Sequence, residues 1–277
     1  MSQPKTLMTG IALGESPRWH DGRLWFADWV AQELIALDLD GNSEVITNVR
    51  SLPFSIDWLP DGPMLITSGR QLLRMEPDGS PVTHVDLSGL SQYGWNEIVV
   101  DGRGNTYVNN ICFDFMAGAE FAPGIIALVT PDGSIRQVAD GIAFPNGMVV
   151  TPDNSTLIVA ESFAGRLSAF DIDVDGGLSN RRVWAQLGEG GDGICIDAEG
   201  AVWSPVPKGC VRVRRGGEVL QRIELDRFCF ACMLGGADGR TLFMLAADWS
   251  GTENVGKGPR TGKVLTAAAP APHVGWP

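Results

Sequence analysis

The sequence predicts an all-β fold, a six-bladed β-propeller with four-stranded blades, formed by residues 1–277 as a single domain. Three observations support this prediction. Glycine and proline are abundant, an aspartate-containing turn recurs six times at nearly regular intervals, and a second series of glycine-containing turns alternates with the first. Four short strands in each unit of about 40–45 residues are typical of a propeller blade.

The composition indicates a folded chain with many turns. The chain contains 35 glycines and 17 prolines, 44% hydrophobic residues and only 19% charged residues, which argues against a disordered segment or a charged helical bundle. The chain has 33 acidic and 21 basic residues, so its formal net charge at pH 7 is −12. Such a surface repels phosphate backbones and anionic lipids, so we expect neither nucleic acid nor a membrane as a partner.

The N-terminal residues and the cysteines predict a cytoplasmic protein. Residues 1–10 lack the apolar core of a secretory signal, and no window reaches the ~20 apolar residues of a membrane span. The five cysteines are an odd and sparse set, which fits reduced thiols better than a disulfide framework. The sequence carries no signal for a particular oligomeric state.

The aspartate turn lies between two β-rich runs and predicts a hairpin that joins the first two strands of each blade. Its Asp-Gly or Asp-x-x-Gly pattern supplies the positive φ that a tight reversal needs. Successive turns are separated by 40, 40, 52, 44 and 41 residues. The six aspartates are Asp21, Asp61, Asp101, Asp153, Asp197 and Asp238.

The second series of turns predicts the end of a third strand in each unit. These turns are Asp40-Gly41, Pro77-Asp78-Gly79, Pro131-Asp132-Gly133, Asp175-Gly176-Gly177 and Gly216-Gly217. A two-sheet sandwich would also show evenly spaced strands, but it gives no reason for one turn to occur six times. We expect residues 262–268 to form a late strand of the sixth unit and residues 7–12 to complete that sheet and close the ring.

The first strand of a propeller blade lines the central channel, so equivalent positions in this strand are candidate site residues. Five to seven residues before the six aspartates stand Glu15, Ser55, Asn96, Asn146, Asp192 and Cys232. Four of these are carboxylates or carboxamides, which would repel or remain unsatisfied if they were buried together without a partner. An oxygen-liganded divalent cation resolves this conflict, with Ca²⁺ preferred and Mg²⁺, Mn²⁺, Zn²⁺ or Fe²⁺ as alternatives. Taken singly, each of the four also fits a solvated loop residue or a turn former.

Several longer motifs carry a family resemblance. They are Leu13-Gly14-Glu15-Ser16-Pro17-Arg18-Trp19, Pro145-Asn146-Gly147-Met148, Ala160-Glu161-Ser162, Gly191-Asp192-Gly193 and Leu234-Gly235-Gly236-Ala237-Asp238. In this order, and over nearly the whole chain, the sequence resembles the senescence-marker-protein/gluconolactonase/luciferin-regenerating family. The resemblance implies a six-bladed propeller with one divalent cation in the central channel, commonly a lactone hydrolase.

The same resemblance implies roles for individual residues. Glu15, Asn146 and Asp192 match the metal ligands of the family, and Asn96 matches a residue that contacts the metal or the substrate. We assign Asn96 to substrate binding and Asp192 to catalysis, as a base or a nucleophile beside a cation that polarises the lactone carbonyl. Sugar-lactone members carry an arginine two residues before this asparagine, whereas this chain has Gly94.

The longest interval between aspartate turns contains an apolar loop, residues 113–124. Loops at a channel mouth determine specificity, so this loop predicts a hydrophobic or aromatic lactone or ester as the small-molecule substrate, rather than a sugar lactone. Trp95, Phe163 and Trp249 are expected nearby, although such aromatics also pack between blades. Two alternatives remain: a calcium-binding regulatory or scaffold propeller without catalysis, and an organophosphate hydrolase that uses the same site.

Overall fold

A computed structural model describes residues 3–277 as 24 β-strands in six four-stranded sheets. The strands of the first three blades are β2 Gly14–His20, β3 Arg23–Asp28, β4 Glu33–Leu37, β5 Ser43–Asn48, β6 Ile56–Trp58, β7 Met64–Ser68, β8 Gln71–Met75, β9 Pro81–Asp86, β10 Ile98–Val100, β11 Thr106–Asn110, β12 Gly124–Val129 and β13 Ile135–Ile142. Those of the last three blades are β14 Pro145–Val150, β15 Thr156–Glu161, β16 Arg166–Ile172, β17 Leu178–Gln186, β18 Cys195–Ile196, β19 Val202–Val206, β20 Gly209–Val213, β21 Val219–Glu224, β22 Phe228–Gly235, β23 Thr241–Ala247, β24 Gly262–Ala268 and β1 Lys5–Ile11.

Each sheet is an antiparallel meander, and the sheets form the predicted six-bladed propeller. The first strands β2, β6, β10, β14, β18 and β22 contact one another in this order, and β22 returns to β2. The ring is closed by β1, which pairs with β24 from Lys5 opposite Thr266 to Ile11 opposite Gly262. The expectation of a closing N-terminal strand is therefore confirmed. Within residues 3–277 the only helical segments are two 3₁₀ turns, Ser162–Ala164 and Thr252–Asn254.

The six aspartate turns have the predicted conformation. Each contains a glycine or asparagine at positive φ, and in the first turn Asp21 also has a positive φ. The six residues are Gly22, Gly62, Gly104, Asn154, Gly200 and Gly239. The aspartate side chain adds a second constraint, because Asp101 Oδ1 accepts hydrogen bonds from the backbone N–H groups of Arg103 (2.9 Å) and Asn105 (2.8 Å). The residue pattern recurs because both the glycine conformation and the aspartate bonds stabilise a hairpin.

The C-terminal residues cross the hairpin ends of the inner strands. Val150 and Trp276 exchange backbone hydrogen bonds, and the Ala198 N–H donates to Pro272 O at 2.8 Å. The Trp276 ring packs on Gly102, where a Cβ atom would lie 2.5 Å from it. The C-terminal residues therefore cover the end of the channel opposite the starts of the first strands.

Apolar layers fill the spaces between the sheets. The largest joins blades 5, 6 and 1 and includes Trp203, Phe243, Leu24 and Phe26, all fully buried. Each such side chain stabilises the fold by about 1.5–3 kcal/mol. All five cysteines are free thiols, as the sequence predicts. None of the helical segments in residues 3–277 has the length and apolar character needed to cross a bilayer.

Candidate functional site

The four candidate residues meet at one open cavity of about 620 Å³. Glu15 lies near the start of β2 and Asn146 near the start of β14, while Asn96 lies two residues before β10 and Asp192 three residues before β18. Blades 1, 3, 4 and 5 therefore each contribute one polar side chain. Because all four lie at the same end of the first strands, the propeller brings them together from positions up to 177 residues apart.

The other two repeat-equivalent positions do not line this cavity. Ser55 is fully buried, with its Oγ 3.0 Å from Thr67 Oγ1. Cys232 is also buried, and its thiol donates to Gly193 O at 3.4 Å. In blade 6 the cavity is reached by Cys229 instead, because a register irregularity between Cys229 and Ala231 shifts the start of β22. Cys232 instead lies deeper in the channel, in a small space that Arg18 and Glu97 also line.

Irregular backbone directs Glu15 and Asn146 toward the cavity. The pairing of β2 with β3 shifts register between Glu15 and Arg18, and Ser16 between them has a φ of +48°. The pairing of β14 with β15 shifts register directly after Pro145. Such bulges are common next to functional sites, where they change the direction of a side chain.

Gly147 allows the strands that carry Asn146 and Asp192 to approach closely. Its N–H donates to Asp192 O at 3.2 Å, and a Cβ atom at this position would lie 2.5 Å from both Asp192 O and Ile194 N. Any larger residue would push the two strands apart. The glycine of the Pro145-Asn146-Gly147-Met148 motif thus serves the geometry of the site.

The amide nitrogens of both asparagines are engaged by the protein. Asn96 Nδ2 donates to Pro145 O at 3.1 Å, and Asn146 Nδ2 donates to Ser162 Oγ at 3.3 Å. Ser162 Oγ in turn donates to Gly191 O at 2.7 Å. These bonds set the amide orientations, and no side chain or backbone group of residues 3–277 donates to either Oδ1 atom.

A buried asparagine that the sequence did not single out connects two parts of the site. Asn109 Nδ2 donates to Asn146 O at 2.7 Å, and Asn109 Oδ1 accepts from the Glu97 N–H at 3.3 Å. Its backbone also pairs with Asn96 and Glu97. Two consecutive asparagines in an otherwise apolar strand, Asn109-Asn110, were the signal that could have identified it.

The two carboxylates contain oxygens without a protein partner. Glu15 Oε2 and Asp192 Oδ1 are inaccessible to solvent and receive no hydrogen bond from the described part of the chain. Burial raises the pKa of Glu15 well above its usual value, and the nearby charges of Asp192 and Glu97 raise it further. Burial and Glu97 likewise raise the pKa of Asp192, against the effect of hydrogen bonds from Asn146 and the Gly193 backbone.

Glu97 is a buried acidic residue that lies deeper in the channel than the cavity floor, and the sequence did not identify it. Burial raises its pKa to about 7, although the Arg18 guanidinium acts in the opposite direction. Arg18 NH2 lies 3.8 Å from Glu97 Oε2, and Arg18 Nε lies 3.6 Å from Asp57 Oδ1. Arg18 is thus shared between the buried carboxylates of Glu97 and Asp57. Within the described residues it forms no direct ion pair with Glu15 or Asp192.

The donor set at the cavity floor is composed of oxygens. Among residues 3–277, no three His, Cys, Asp or Glu side chains converge in the manner of a metal cluster. An ion at this place would therefore use amide oxygens besides the two carboxylates. Unpaired carboxylate oxygens and free amide oxygens are the ligands that hard divalent cations take, so the residues fit such an ion.

The cavity sides are aromatic. One side is lined by four phenylalanines, here called the phenylalanine wall: Phe113, Phe115, Phe144 and Phe163. The opposite side is lined by Trp29, Phe228, Phe230 and Trp249. The start of the predicted apolar loop, Phe163 and Trp249 therefore lie where the sequence suggested. Trp95 does not, because it is fully buried in the core beside Leu65 and Ile98.

Glu161, in the Ala160-Glu161-Ser162 motif, braces the segments around Asn146. Burial acts to raise its pKa, but hydrogen bonds from Arg166, Ser168 and the Ala143 N–H outweigh that effect and lower the pKa to about 2. Arg181 also contacts the carboxylate at 3.0 Å. Because the pKa is lower in the folded state than the ~4.3 of an unfolded glutamate, this stabilisation is present above pH ~4.3 and is lost as the pH falls toward 2.

Glu161→Gln is therefore expected to lower the free energy of unfolding at pH 7 by about 2–3 kcal/mol, since several charge-assisted hydrogen bonds are lost. The difference from wild type should narrow below pH 4. Urea unfolding at pH 7 and pH 3 measures both quantities. The control Glu44→Gln affects an exposed pair with Arg23 and should cost less than about 1 kcal/mol. Equal losses in the two variants at pH 7 would contradict this role of Glu161.

Comparison with known proteins agrees with this architecture. The sequence profile described as the SMP-30/Gluconolactonase/LRE-like region matches residues 13–248. Regucalcin from Xenopus laevis is 26% identical over 250 residues, covering 85% of this chain and 83% of that protein. Pentonolactonase XacC from Haloferax volcanii is 24% identical over 267 residues, covering 93% and 89%. A solved luciferin-regenerating enzyme superposes with a TM-score of 0.84 at 18% identity, covering 98% of each chain. The profile spans most of the chain, and the chain therefore belongs to the SMP-30/gluconolactonase/LRE-like family.

Proposed function

We propose that this protein is a divalent-cation-dependent hydrolase that opens a hydrophobic lactone. One observation carries the proposal: two carboxylates, the buried Glu15 and the half-buried Asp192, each have one inaccessible, unpaired oxygen. They lie with two amide side chains at the floor of an open, aromatic-sided cavity. Membership of a family that includes gluconolactonases, and similarity to a pentonolactonase, support lactone hydrolysis as the reaction class.

Electrostatics favour a cation at the floor. Burial raises the pKa of both carboxylates, Glu97 raises both further, and Asp192 also raises the pKa of Glu15. The charged forms of Glu15 and Asp192 therefore destabilise the site, and a divalent ion offsets both charges. Glu15, Asn146 and Asp192 would hold the ion, and the all-oxygen donor set favours Ca²⁺ over thiolate-preferring metals. Cys229 also lines the cavity, but burial and the two carboxylates raise its thiol pKa well above the usual value, so it stays protonated.

A bound divalent cation supplies Lewis-acid polarisation of the ester carbonyl and lowers the pKa of a coordinated water. In one route, Asp192 accepts the proton of the attacking water at a carboxylate oxygen. In the other, Asp192 attacks the carbonyl carbon, the ring C–O bond breaks and the ring oxygen leaves as a hydroxyl group on the same molecule, and water then hydrolyses the resulting anhydride to release the hydroxy acid and the Asp192 carboxylate. Asn96 orients the lactone through its amide, whose position is set by the bond to Pro145 O.

The cavity supports a hydrophobic substrate. Its volume of about 620 Å³ is in the range that encloses drug-sized ligands, and nine of the residues that line it are aromatic. Gly94 also lines the cavity, at the position where sugar-lactone relatives have an arginine. The guanidinium that would hold sugar hydroxyls is therefore missing from this position, which argues against a sugar lactone.

A pH-stat screen tests the proposed function. Metal-stripped protein is assayed with γ- and δ-lactones that carry alkyl, aryl or hydroxyl substituents, and is titrated with Ca²⁺, Mg²⁺, Mn²⁺, Zn²⁺ or Fe²⁺. We expect turnover that requires added ion and is faster for hydrophobic lactones. Ion binding without turnover of any lactone would instead support a calcium-binding scaffold.

Ser162→Ala is expected to weaken Ca²⁺ binding about 10-fold, because Ser162 Oγ orients the Asn146 amide and also bonds Gly191 beside Asp192. Calorimetric titration of the metal-free protein measures this effect. Ser55→Ala removes a buried hydroxyl from the equivalent position of blade 2, away from the cavity, and should leave the affinity unchanged. If Ser162→Ala kept the wild-type Ca²⁺ affinity, contacts other than Ser162 would hold the Asn146 amide in place.

A further inference from the structure

The phenylalanine wall is organised around one buried ring. Phe113 is only 5% exposed, and its ring centroid lies 5.8–6.2 Å from those of Phe115, Phe121, Phe144 and Phe163. Three of these four contacts are edge-to-face, the arrangement that aromatic pairs prefer. The rings are thus fixed relative to one another before any ligand arrives.

Phe144 has a backbone conformation that its side chain does not favour. Its φ is +62°, in the left-handed region that bulky residues rarely adopt. The conformation is held by hydrogen bonds from the Ser162 N–H to Phe144 O (3.0 Å) and from the Phe163 N–H to Ala143 O (3.2 Å). Glu161 accepts the Ala143 N–H at 2.9 Å. Backbone strain held in this way is concentrated at ligand sites, where it positions a contact group.

The strained residue supports the most exposed ring of the wall. Phe144 and Phe163 stack with centroids 4.6 Å apart and planes 24° apart. Phe163 is nevertheless 52% exposed and lines the cavity. The Phe163 ring also contacts Phe115 and Phe121, with centroids 6.0 and 5.7 Å away, yet about half of it stays exposed. A large aromatic ring that is held by neighbouring rings and remains half exposed offers a platform for another apolar group.

The platform lies next to the reactive floor. Phe163 directly follows Ser162, whose Oγ contacts the Asn146 amide, and consecutive Cα atoms are about 3.8 Å apart. Phe163, Asn146 and Asp192 also line the same cavity. We therefore expect a group attached directly to the lactone ring to reach Phe163 while the ester lies at the floor. A substituent on a long flexible linker is not required.

We propose that Phe163, supported by Phe144, forms a subsite for an aryl group borne on the lactone ring, and that Phe163 selects aryl over saturated substituents. This inference rests on the proposed lactone hydrolase function. Aromatic pairs gain stabilisation beyond the area they bury, so the expected preference for phenyl over cyclohexyl is about 2- to 10-fold. Both substituents are apolar and similar in size, so simple hydrophobic burial does not produce the preference.

The test compares γ-phenyl- and γ-cyclohexyl-γ-butyrolactone as substrates of the Ca²⁺-saturated protein. Wild type should favour the phenyl lactone in kcat/KM, mainly through KM, and Phe163→Leu should bring the ratio close to 1. The matched control is Phe121→Leu, since Phe121 belongs to the same cluster and is 51% exposed but does not line the cavity. It should keep the wild-type ratio.

A binding measurement separates this inference from the proposed function. Ligand-observed NMR titration with 2-phenyl- and 2-cyclohexyltetrahydrofuran, which contain no ester, should show the same preference and the same loss in Phe163→Leu. Hydrolysis of both lactones with a ratio near 1 in wild type would overturn the aryl subsite and leave the hydrolase proposal intact. Selective binding of the phenyl ether without turnover of any lactone would support the subsite and overturn the hydrolase.

Discussion

Asp192→Asn is expected to lower kcat for lactone hydrolysis by about 10²–10⁴-fold, because an amide neither accepts the proton of the attacking water nor attacks the carbonyl carbon. The fold should be unaffected, since Asp192 Oδ1 makes no hydrogen bond to the described chain and the Asp192 backbone contact with Gly147 remains. Hydrolysis is followed by pH-stat, and folding by near-ultraviolet circular dichroism.

A matched variant controls for the loss of one negative charge from the cavity. Asp114 also lines it but is exposed, and its Oδ1 accepts the Ala117 N–H, a bond that an asparagine oxygen can replace. Asp114→Asn should retain most of the activity. Near-wild-type activity of Asp192→Asn would remove Asp192 from the chemistry.

Glu15→Gln is expected to change thermal stability in opposite directions with and without Ca²⁺. Without ion, the variant should melt above wild type, because it no longer buries a charge beside Asp192 and Glu97. With Ca²⁺ at about 100 times Kd, wild type should gain about 5–10 °C in Tm, whereas the variant should gain little. Differential scanning calorimetry at pH 8 measures all four values.

The exposed Glu120 supplies the control for this experiment. Glu120→Gln removes the same charge from the apolar loop and should keep the full Ca²⁺-dependent rise in Tm. If Glu15→Gln also kept that rise, the cation would bind elsewhere.

Much of the architecture was predictable because it is encoded locally. A glycine or asparagine at positive φ occurs in each hairpin, and an aspartate side chain also bonds the turn backbone at Asp101, Asp153, Asp197 and Asp238. Such turns can be recognised from a few neighbouring residues. The spacing of these turns then gave the number of blades. It also placed Glu15 and Asp192 at the same end of their strands, although they come from distant parts of the chain.

The remaining features depend on contacts between blades. Arg18 donates to Ile98 O, 80 residues away, and no local pattern reveals that it is shared by Asp57 and Glu97. The bulge in β22 that places Cys229 rather than Cys232 in the cavity depends on pairing with β23. A local pattern also cannot show that Phe144 adopts a left-handed conformation, because neighbouring segments impose it.

We propose that one divalent cation, held by Glu15, Asn146 and Asp192, is required for lactone hydrolysis. The most direct measurement is the initial rate of γ-phenyl-γ-butyrolactone hydrolysis by metal-stripped protein, at a protein concentration well above Kd, as Ca²⁺ is added in steps. We expect no enzymatic rate without ion and a linear rise to a plateau at one equivalent per chain. An unchanged rate in excess chelator would show that hydrolysis does not require the cation.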